Sequence, residues 1–368
     1  MKMEHAPRRL SHDGQGGELF RMHMANSVLR VVTLGVFHSW AKTRIRGYLW
    51  SHTAFDGERF AYTGQGLALL LGYLAATVMG AVLYGAWQAL DFMPASLPLV
   101  AALRSLALYG TLMWLTGLAL FGSLRFRLAH TRWRGVHFRL AGSAAGFAWR
   151  MTLVAALTAL TLGLAYPYLR QRLVGWVVNR AGFGSLAFRF DENAGALTRR
   201  FLPVVLLAAV LAALLATAAL AAGFFRESRW VRLVFWLHAR GVDLPPLPAV
   251  LAALLLAAAA VALALVPVWL AYRAHELRHF AAHTRLGPLR FALDFTAGQY
   301  LRLRVGNFLL LTATLGLGLP LALLRTARFY CRHLSVDGVL DDSLIAQGGP
   351  APSPLGEGLA EVLDVSPF

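Results

Sequence analysis

Apolar and polar positions alternate along this chain on two length scales. On the longer scale, seven apolar stretches (25–41, 67–90, 99–122, 151–169, 201–225, 249–272 and 305–324) are separated by arginine-rich ones. Four of them, 67–90, 99–122, 201–225 and 249–272, are long enough to cross a hydrocarbon core of roughly 30 Å as helices, which takes about 20 apolar residues. The first stretch is different: Arg30 interrupts it, and the uncharged remainder 31–41 is too short to cross. On the shorter scale, aromatic residues alternate with period two in Phe60-Ala61-Tyr62, Val136-His137-Phe138-Arg139-Leu140, Phe188-Arg189-Phe190 and Phe291-Ala292-Leu293-Asp294-Phe295. Glycines bound these runs (Gly57, Gly64, Gly135, Gly142, Gly184 and Gly298), which predicts short strands.

The three apolar stretches that are not clear spans share a signature. Thr33-Leu34-Gly35, Thr161-Leu162-Gly163 and Thr314-Leu315-Gly316 are each followed by an arginine nine residues after the glycine, at Arg44, Arg172 and Arg325. Pro167 and Pro320 stand four residues after the second and third glycines, and Ser39-Trp40 holds that place in the first copy. Asn26 and Asn307 precede their glycines by nine residues, with Val154 at the matching place between them. His52-Thr53, His130-Thr131 and His283-Thr284 stand at a fixed distance before Phe60, Phe138 and Phe291. A pattern recurring at matched offsets is read as an internal repeat, and a repeat sets the architecture.

Composition then fixes the solvent. The 368 residues are 58% hydrophobic and only 14% charged, with a mean hydropathy of +0.56, whereas soluble domains carry about 25% charged residues. The chain therefore reads as an integral membrane protein. Residues 1–18 are polar and the first apolar run begins after Met24, so the first membrane segment is expected to act as its own insertion signal. Cys331 is the one cysteine, which excludes an intramolecular disulfide and leaves the redox compartment open. The net charge of +17 is carried by arginines dispersed among apolar segments, the pattern of basic juxtamembrane loops; without a basic stripe, nucleic acid is not the expected partner.

Charge also constrains topology. Residues 123–146 hold five arginines and 170–200 hold six, and these loops flank the second TLG stretch. A crossing there would put them on opposite faces, against the positive-inside rule. If each TLG stretch enters and leaves on one side, the N-terminus and all the strand regions fall on the cytoplasmic face, and only 91–98 and 226–248 face outward. The TLG stretches are thus expected to be re-entrant or interfacial elements. Gly35, Gly163, Gly316, Pro167 and Pro320 would supply a break, tolerated where protein buries the freed backbone, and the hydroxyls of Thr33, Thr161 and Thr314 would cap it. The competing reading is that 305–324 simply crosses. Tryptophans, phenylalanines and arginines mixed through 228–240 predict an interfacial helix, and the Pro- and Gly-rich tail 346–368 is expected to be disordered.

The expected fold is an all-α polytopic membrane protein with short β-strand pairs, in which three TLG-x3-P-x4-R repeats are separated by two transmembrane helical hairpins. After a polar tail (1–18), a single membrane domain (19–345) would hold repeat 1 (19–64), a hairpin (65–122), repeat 2 (130–195), a hairpin (201–272) and repeat 3 (283–345). Leu19-Phe20, Asn26, Thr33-Leu34-Gly35, Trp40-Ala41-Lys42-Thr43-Arg44 and Phe60-Ala61-Tyr62-Thr63-Gly64, with the later TLG copies, resemble the YjgN-type bacterial inner-membrane proteins, a domain family of unknown function. The likeness covers about residues 15–345. It implies a multi-pass protein of the bacterial inner membrane and carries no activity or site.

Two sets of residues could carry chemistry. His275-Glu276-Leu277-Arg278-His279 fits H-E-x-x-H, in which two histidines one helical turn apart hold zinc and the glutamate acts as base; Arg278 sets a cation between those ligands, and no third ligand is evident. Arg44, Arg172 and Arg325 either anchor membrane edges or converge on an anion such as a lipid headgroup. Asn26 and Asn307 could hydrogen-bond across repeats within the membrane. The four clear spans contain no acidic residue, against a carrier built on intramembrane carboxylates. The favoured reading is a non-enzymatic protein, without cofactor, that passes or binds a small solute or anionic lipid in the bilayer. A zinc-dependent membrane hydrolase using His275, Glu276 and His279, or an envelope scaffold, stands as the alternative.

Overall fold

The computed structural model describes residues 8–91, 98–191, 195–226, 236–237, 239–241 and 247–339. Most of the expected interfacial helix 228–240 and the C-terminal tail lie outside the described residues. The chain forms two compact units, one of Met1–Asn193, Arg278–Phe295 and Leu303–Phe368, the other of Ala194–Leu277 with Thr296–Arg302. It is mostly helical, with α1 (Gly16–Val32), α2 (His38–Ser51), α3 (Gly66–Asp91), α4 (Pro98–Ala129), α5 (Ala144–Leu160), α6 (Tyr166–Val178), α7 (Gly195–Arg226), α8 (Leu247–Ala282), α9 (Ala297–Ala313) and α10 (Leu319–His333). Among the described residues, Leu99–Ala129, Leu197–Ala221 and Val250–Ala282 are long and apolar enough to cross a membrane. The expected span at 67–90 lies in α3, a continuous helix of 26 residues.

Each TLG tripeptide is a turn between two helices, α1 and α2, α5 and α6, or α9 and α10. The three turns share one backbone. Leu34, Leu162 and Leu315 have φ of 50°, 50° and 49°, and Gly35, Gly163 and Gly316 have 91°, 88° and 88°. Two successive left-handed residues reverse the chain, and the second, with its larger φ, is the glycine. The threonine hydroxyl spans the break. Thr33 Oγ1 donates to the Leu29 carbonyl at 2.7 Å and accepts from the Phe37 N–H at 3.0 Å. Thr161 and Thr314 make the same pair of bonds, to Leu157 and Ala165 and to Leu310 and Gly318. Pro167 and Pro320 fall in the first turn of α6 and α10, where a missing N–H costs nothing.

The strands form one closed ring. The pairs are Thr53–Phe55 (β3) with Glu58–Arg59 (β4), whose segment continues as Ala61–Tyr62 (β5), Thr131–Trp133 (β6) with Val136–Leu140 (β7), Ala181–Phe183 (β8) with Leu186–Phe190 (β9), and Thr284–Leu286 (β10) with Leu289–Leu293 (β11). The fifth pair joins the two ends of the chain: Leu334–Asp337 (β12) lies against Arg8–Arg9 (β1). Ser11–His12 (β2) then pairs with β3. The segments 8–12 and 58–62 each break once, at Leu10 and Phe60, and take part in both sheets, so the strand order returns to its start. Closure leaves no unpaired edge. The polar N-terminal tail expected from sequence therefore supplies a strand.

All five first strands run in the same direction, since every neighbour pairing is antiparallel. Each is entered directly from a helix, α2, α4, α6, α8 or α10. At each entry the last helical carbonyl accepts a bond from the residue that ends the preceding pair. These bonds run Asp13 to His52, Thr63 to His130, Ala141 to Arg180, Asp191 to His283 and Asp294 to His333, all at 2.9–3.1 Å. The entering side chain also closes its own last turn. The Nδ1 atoms of His52, His130, His283 and His333 each sit 2.8 Å from the carbonyl four residues back, and Arg180 Nη1 donates to the Trp176 carbonyl at 3.1 Å.

The ring is filled rather than hollow. Phe55, Trp133, Phe183, Leu286 and Val336, one from each first strand, are buried together with Leu289. Trp133 has the rings of Phe55, Phe183 and Phe60 at 5.4, 5.5 and 6.3 Å. Arg59 with Asp13, Arg9 with Asp294 and Arg285 with Asp191 form ion pairs among the ring residues. In the second unit, α7 and α8 meet through Phe201, which has Tyr272 at 4.8 Å and Trp269 at 6.3 Å.

Candidate ligand-binding site

Two adjoining cavities lie where α2, α4 and α10 run into the ring. The larger, of about 430 Å³, is walled by Leu49 and Trp50 of α2, Leu128 of α4, Leu323, Ala327 and Tyr330 of α10, and Leu10, Phe60 and Phe138 of the ring. Its few polar side chains are already bonded within the wall. Trp50 Nε1 donates to Thr131 Oγ1 at 2.9 Å, and Thr53 Oγ1 donates to the Leu49 carbonyl at 2.8 Å. Thr326 Oγ1 donates to the Ala322 carbonyl and accepts from Asn307 Nδ2 at 3.0 Å. What remains facing the space is hydrocarbon and aromatic surface, the lining of a pocket for an apolar molecule.

The smaller cavity, of about 410 Å³, is polar. Ser11, His12, Arg328 and Arg332 line it, and it shares Leu10 and Cys331 with the apolar chamber. Arg328 Nη2 donates to the Gly14 carbonyl at 2.6 Å. His12 Nδ1 sits 2.9 Å from Thr53 Oγ1, while its buried Nε2 has no hydrogen-bond partner. Burial pushes the His12 pKa below the usual 6.5; Arg328 and His52 push the same way, and Asp13 opposes them. Burial likewise pushes the Cys331 thiol up to about 11, so it stays protonated and unreactive at neutral pH.

The His12 shift has a signed consequence. A histidine held below its unfolded pKa leaves the unfolded chain binding more protons, so stability falls as pH drops through the window just below 6.5. The thermal midpoint is expected to fall between about pH 7.5 and about pH 5.5, and His12→Gln should flatten part of that fall. An unchanged acid limb in the variant would remove His12 as its source.

The residues singled out in the sequence occupy three settings. Arg44, Arg172 and Arg325 are all exposed, each on the returning arm of its hairpin. Arg44 reaches Asn26 Oδ1 at 3.4 Å and lies over Phe37; Arg172 lies over Tyr168; Arg325 covers the backbone at Gly306. Asn26 and Asn307 are buried, and Asn307 also donates to the Ala322 carbonyl at 3.3 Å. The third setting is the HELRH helix. There Glu276 is fully buried and paired with Arg273, and His275 Nδ1 lies 2.6 Å from an Arg200 guanidinium nitrogen. Cations thus stand against two of the three groups a zinc ion would need, and the described residues contain no group of three or more His, Cys, Asp or Glu placed to hold a metal.

The chamber residues were not identified in the sequence. One signal was available: Arg325, Arg328 and Arg332 stand at i, i+3 and i+7 on α10, a basic stripe along an otherwise apolar helix.

The family described as "Bacterial protein of unknown function (DUF898)" matches residues 7–362. The chain is 30% identical over 66 residues to the inner membrane protein YjgN of Salmonella typhimurium, covering 18% of this chain and 17% of that protein. It is 26% identical over 153 residues to the inner membrane protein YjgN of Escherichia coli K12, covering 42% of this chain and 36% of the relative. These matches span about a third or less of the relatives' own length. No solved structure matches the chain.

Proposed function

The chain belongs to the DUF898 family of bacterial proteins of unknown function, and on that premise we propose a multi-pass inner-membrane protein that binds one lipid-like molecule in the chamber under its strand ring. The chamber carries this reading. A space of about 430 Å³ lies within the 300–1,000 Å³ or so of small-molecule pockets, and its wall offers hydrocarbon where a hydrophilic solute would need hydrogen bonds.

In this reading α3, α4, α7 and α8 cross the bilayer, and the three TLG hairpins enter and return on the side of the ring. The ring and its arginines then lie on the cytoplasmic face, as the positive-inside rule favours. Arg44, Arg172 and Arg325, exposed on the returning arms, are placed to meet anionic headgroups of the surrounding leaflet. The recurrence goes further than three copies: each of five helical hairpins delivers one strand pair to the ring, and the five entry bonds of like length support descent of all five from one unit.

The test is native mass spectrometry of protein extracted in mild detergent, followed by loading with a brominated fatty acid. Bound lipid is expected on the unaltered protein, and Ala327→Trp, which fills the chamber, should abolish both that lipid and the quenching of Trp50 fluorescence. Failure of the unaltered protein to take up any acyl probe would refute the proposal.

A further inference from the structure

We infer that the ligand is a single-chain amphiphile with an anionic headgroup, its chain in the apolar chamber and its carboxylate or phosphate in the adjoining recess between Arg328, Arg332 and His12. The inference rests on the chamber as a lipid site and adds the chemistry of its mouth. Leu10 and Cys331 line both cavities, so the apolar and polar spaces adjoin at those two side chains. One chain suits the volume, which lies near the lower end of ligand pockets.

The sign of the headgroup follows from the charges. Two guanidiniums one helical turn apart on α10 line the recess, and no carboxylate does. Asp13, next to His12 in the chain, is engaged by Arg59, and Asp294 is engaged by Arg9. Arg328 spends one bond on the Gly14 carbonyl, which fixes it, while Arg332 is exposed and its guanidinium has no partner among the described residues. A cationic headgroup would be repelled here; an anion gains charge-assisted bonds from both arginines. His12 presents a buried Nε2 without a partner. Thr53 Oγ1 gives its own proton to the Leu49 carbonyl and so accepts from His12 Nδ1, which leaves Nε2 to take up a proton and donate to the headgroup when an anion binds beside it.

The test compares a long-chain brominated fatty acid, the matching alkyl phosphate and the matching fatty alcohol, read by quenching of Trp50, with Trp50→Phe as the blank. The anionic ligands are expected to bind about tenfold or more tightly than the alcohol. Arg332→Gln, at an exposed side chain, should erase most of that preference and leave alcohol binding unchanged. The better of the two anions identifies the headgroup. Equal binding of acid, phosphate and alcohol would overturn this inference while leaving the lipid chamber standing; no binding of any of the three would overturn the chamber as well. Preference for the anions that survives both Arg332→Gln and Arg328→Gln would also overturn it, by placing the anion elsewhere.

Discussion

Replacing Trp133 by alanine is expected to destabilise the protein by about 3–5 kcal/mol, the usual cost of removing a large buried aromatic side chain. Trp133 is 4% exposed, at the centre of the apolar plug that the five first strands share. Its ring contacts Phe55, Phe60 and Phe183, from two different strand pairs besides its own. Its Nε1 donates to the Phe55 carbonyl at 3.3 Å, so alanine would also leave a buried acceptor without its partner. The loss matters beyond its size because ring closure depends on sequence-distant segments: Arg8 pairs with Val336, and Ser11 with Ala54. With net stabilities of about 5–15 kcal/mol typical of folded domains, the variant should unfold at markedly lower denaturant or temperature in detergent. Trp133→Phe, which keeps most of the apolar volume, should recover more than half of the loss. A measured cost below about 1 kcal/mol for the alanine variant would show that the plug does not hold the ring together.

Much of this architecture could be read in the sequence, and the limit is set by which residues carry the signal. The alternating aromatics announced second strands because Val136 with Phe138, Leu186 with Phe188 and Leu289 with Phe291 face the plug, and Phe60 stands two residues before a second aromatic, Tyr62. The segment 8–12 offers one, Leu10, between arginines, serine and histidine, so it reads as a polar tail. Leu334-Ser335-Val336 is equally short. Pairing with sequence-distant partners, Arg8 with Val336, Ser11 with Ala54 and Phe291 with Val336, makes strands of them, and no local pattern encodes that. The His-Thr motif appears at three entries because the other two substitute chemically: Arg180 closes its helix through a guanidinium, and His333 is followed by leucine. TLG marks only three hairpins because α3–α4 and α7–α8 connect without it. The chamber was hidden for a similar reason, since its wall comes from four separate stretches of chain, each of which looks like ordinary helix core. HELRH shows the opposite case, a motif legible in one dimension whose acid and first histidine meet arginines in three.

Placing lysine at the three hairpin tips, Leu34→Lys with Leu162→Lys and Leu315→Lys, should cause the largest change of all: failure of the protein to integrate stably into the membrane. These leucines are 95%, 88% and 93% exposed, and all three hold a left-handed backbone. For a non-glycine residue that conformation costs roughly 1–2 kcal/mol, and glycine or asparagine would serve better in water. A leucine there gains little from protein contacts, and its presence at all three tips is what the proposed entry of the hairpins into hydrocarbon predicts. The arms returning to the ring are 13–15 residues long, or about 20 Å at 1.5 Å per residue, which carries the tips well away from the ring. A lysine deep in the bilayer costs about 2.5–3.5 kcal/mol, so three amount to roughly 8–10 kcal/mol, comparable with the whole stability of a domain. Membrane fractionation should find the triple variant degraded or released by alkaline extraction. Leu34→Asn, Leu162→Asn and Leu315→Asn, polar but at ease in the left-handed region, should fold in detergent and lose membrane depth alone. The depth itself is read with Leu162→Trp: quenching by lipids brominated near the chain end is expected, and quenching only by a water-soluble quencher would place the tips in solvent. A triple lysine variant that stays in the membrane with an unchanged unfolding temperature would likewise show that the hairpins do not enter the bilayer, and the topology would then have to rest on the long helices alone.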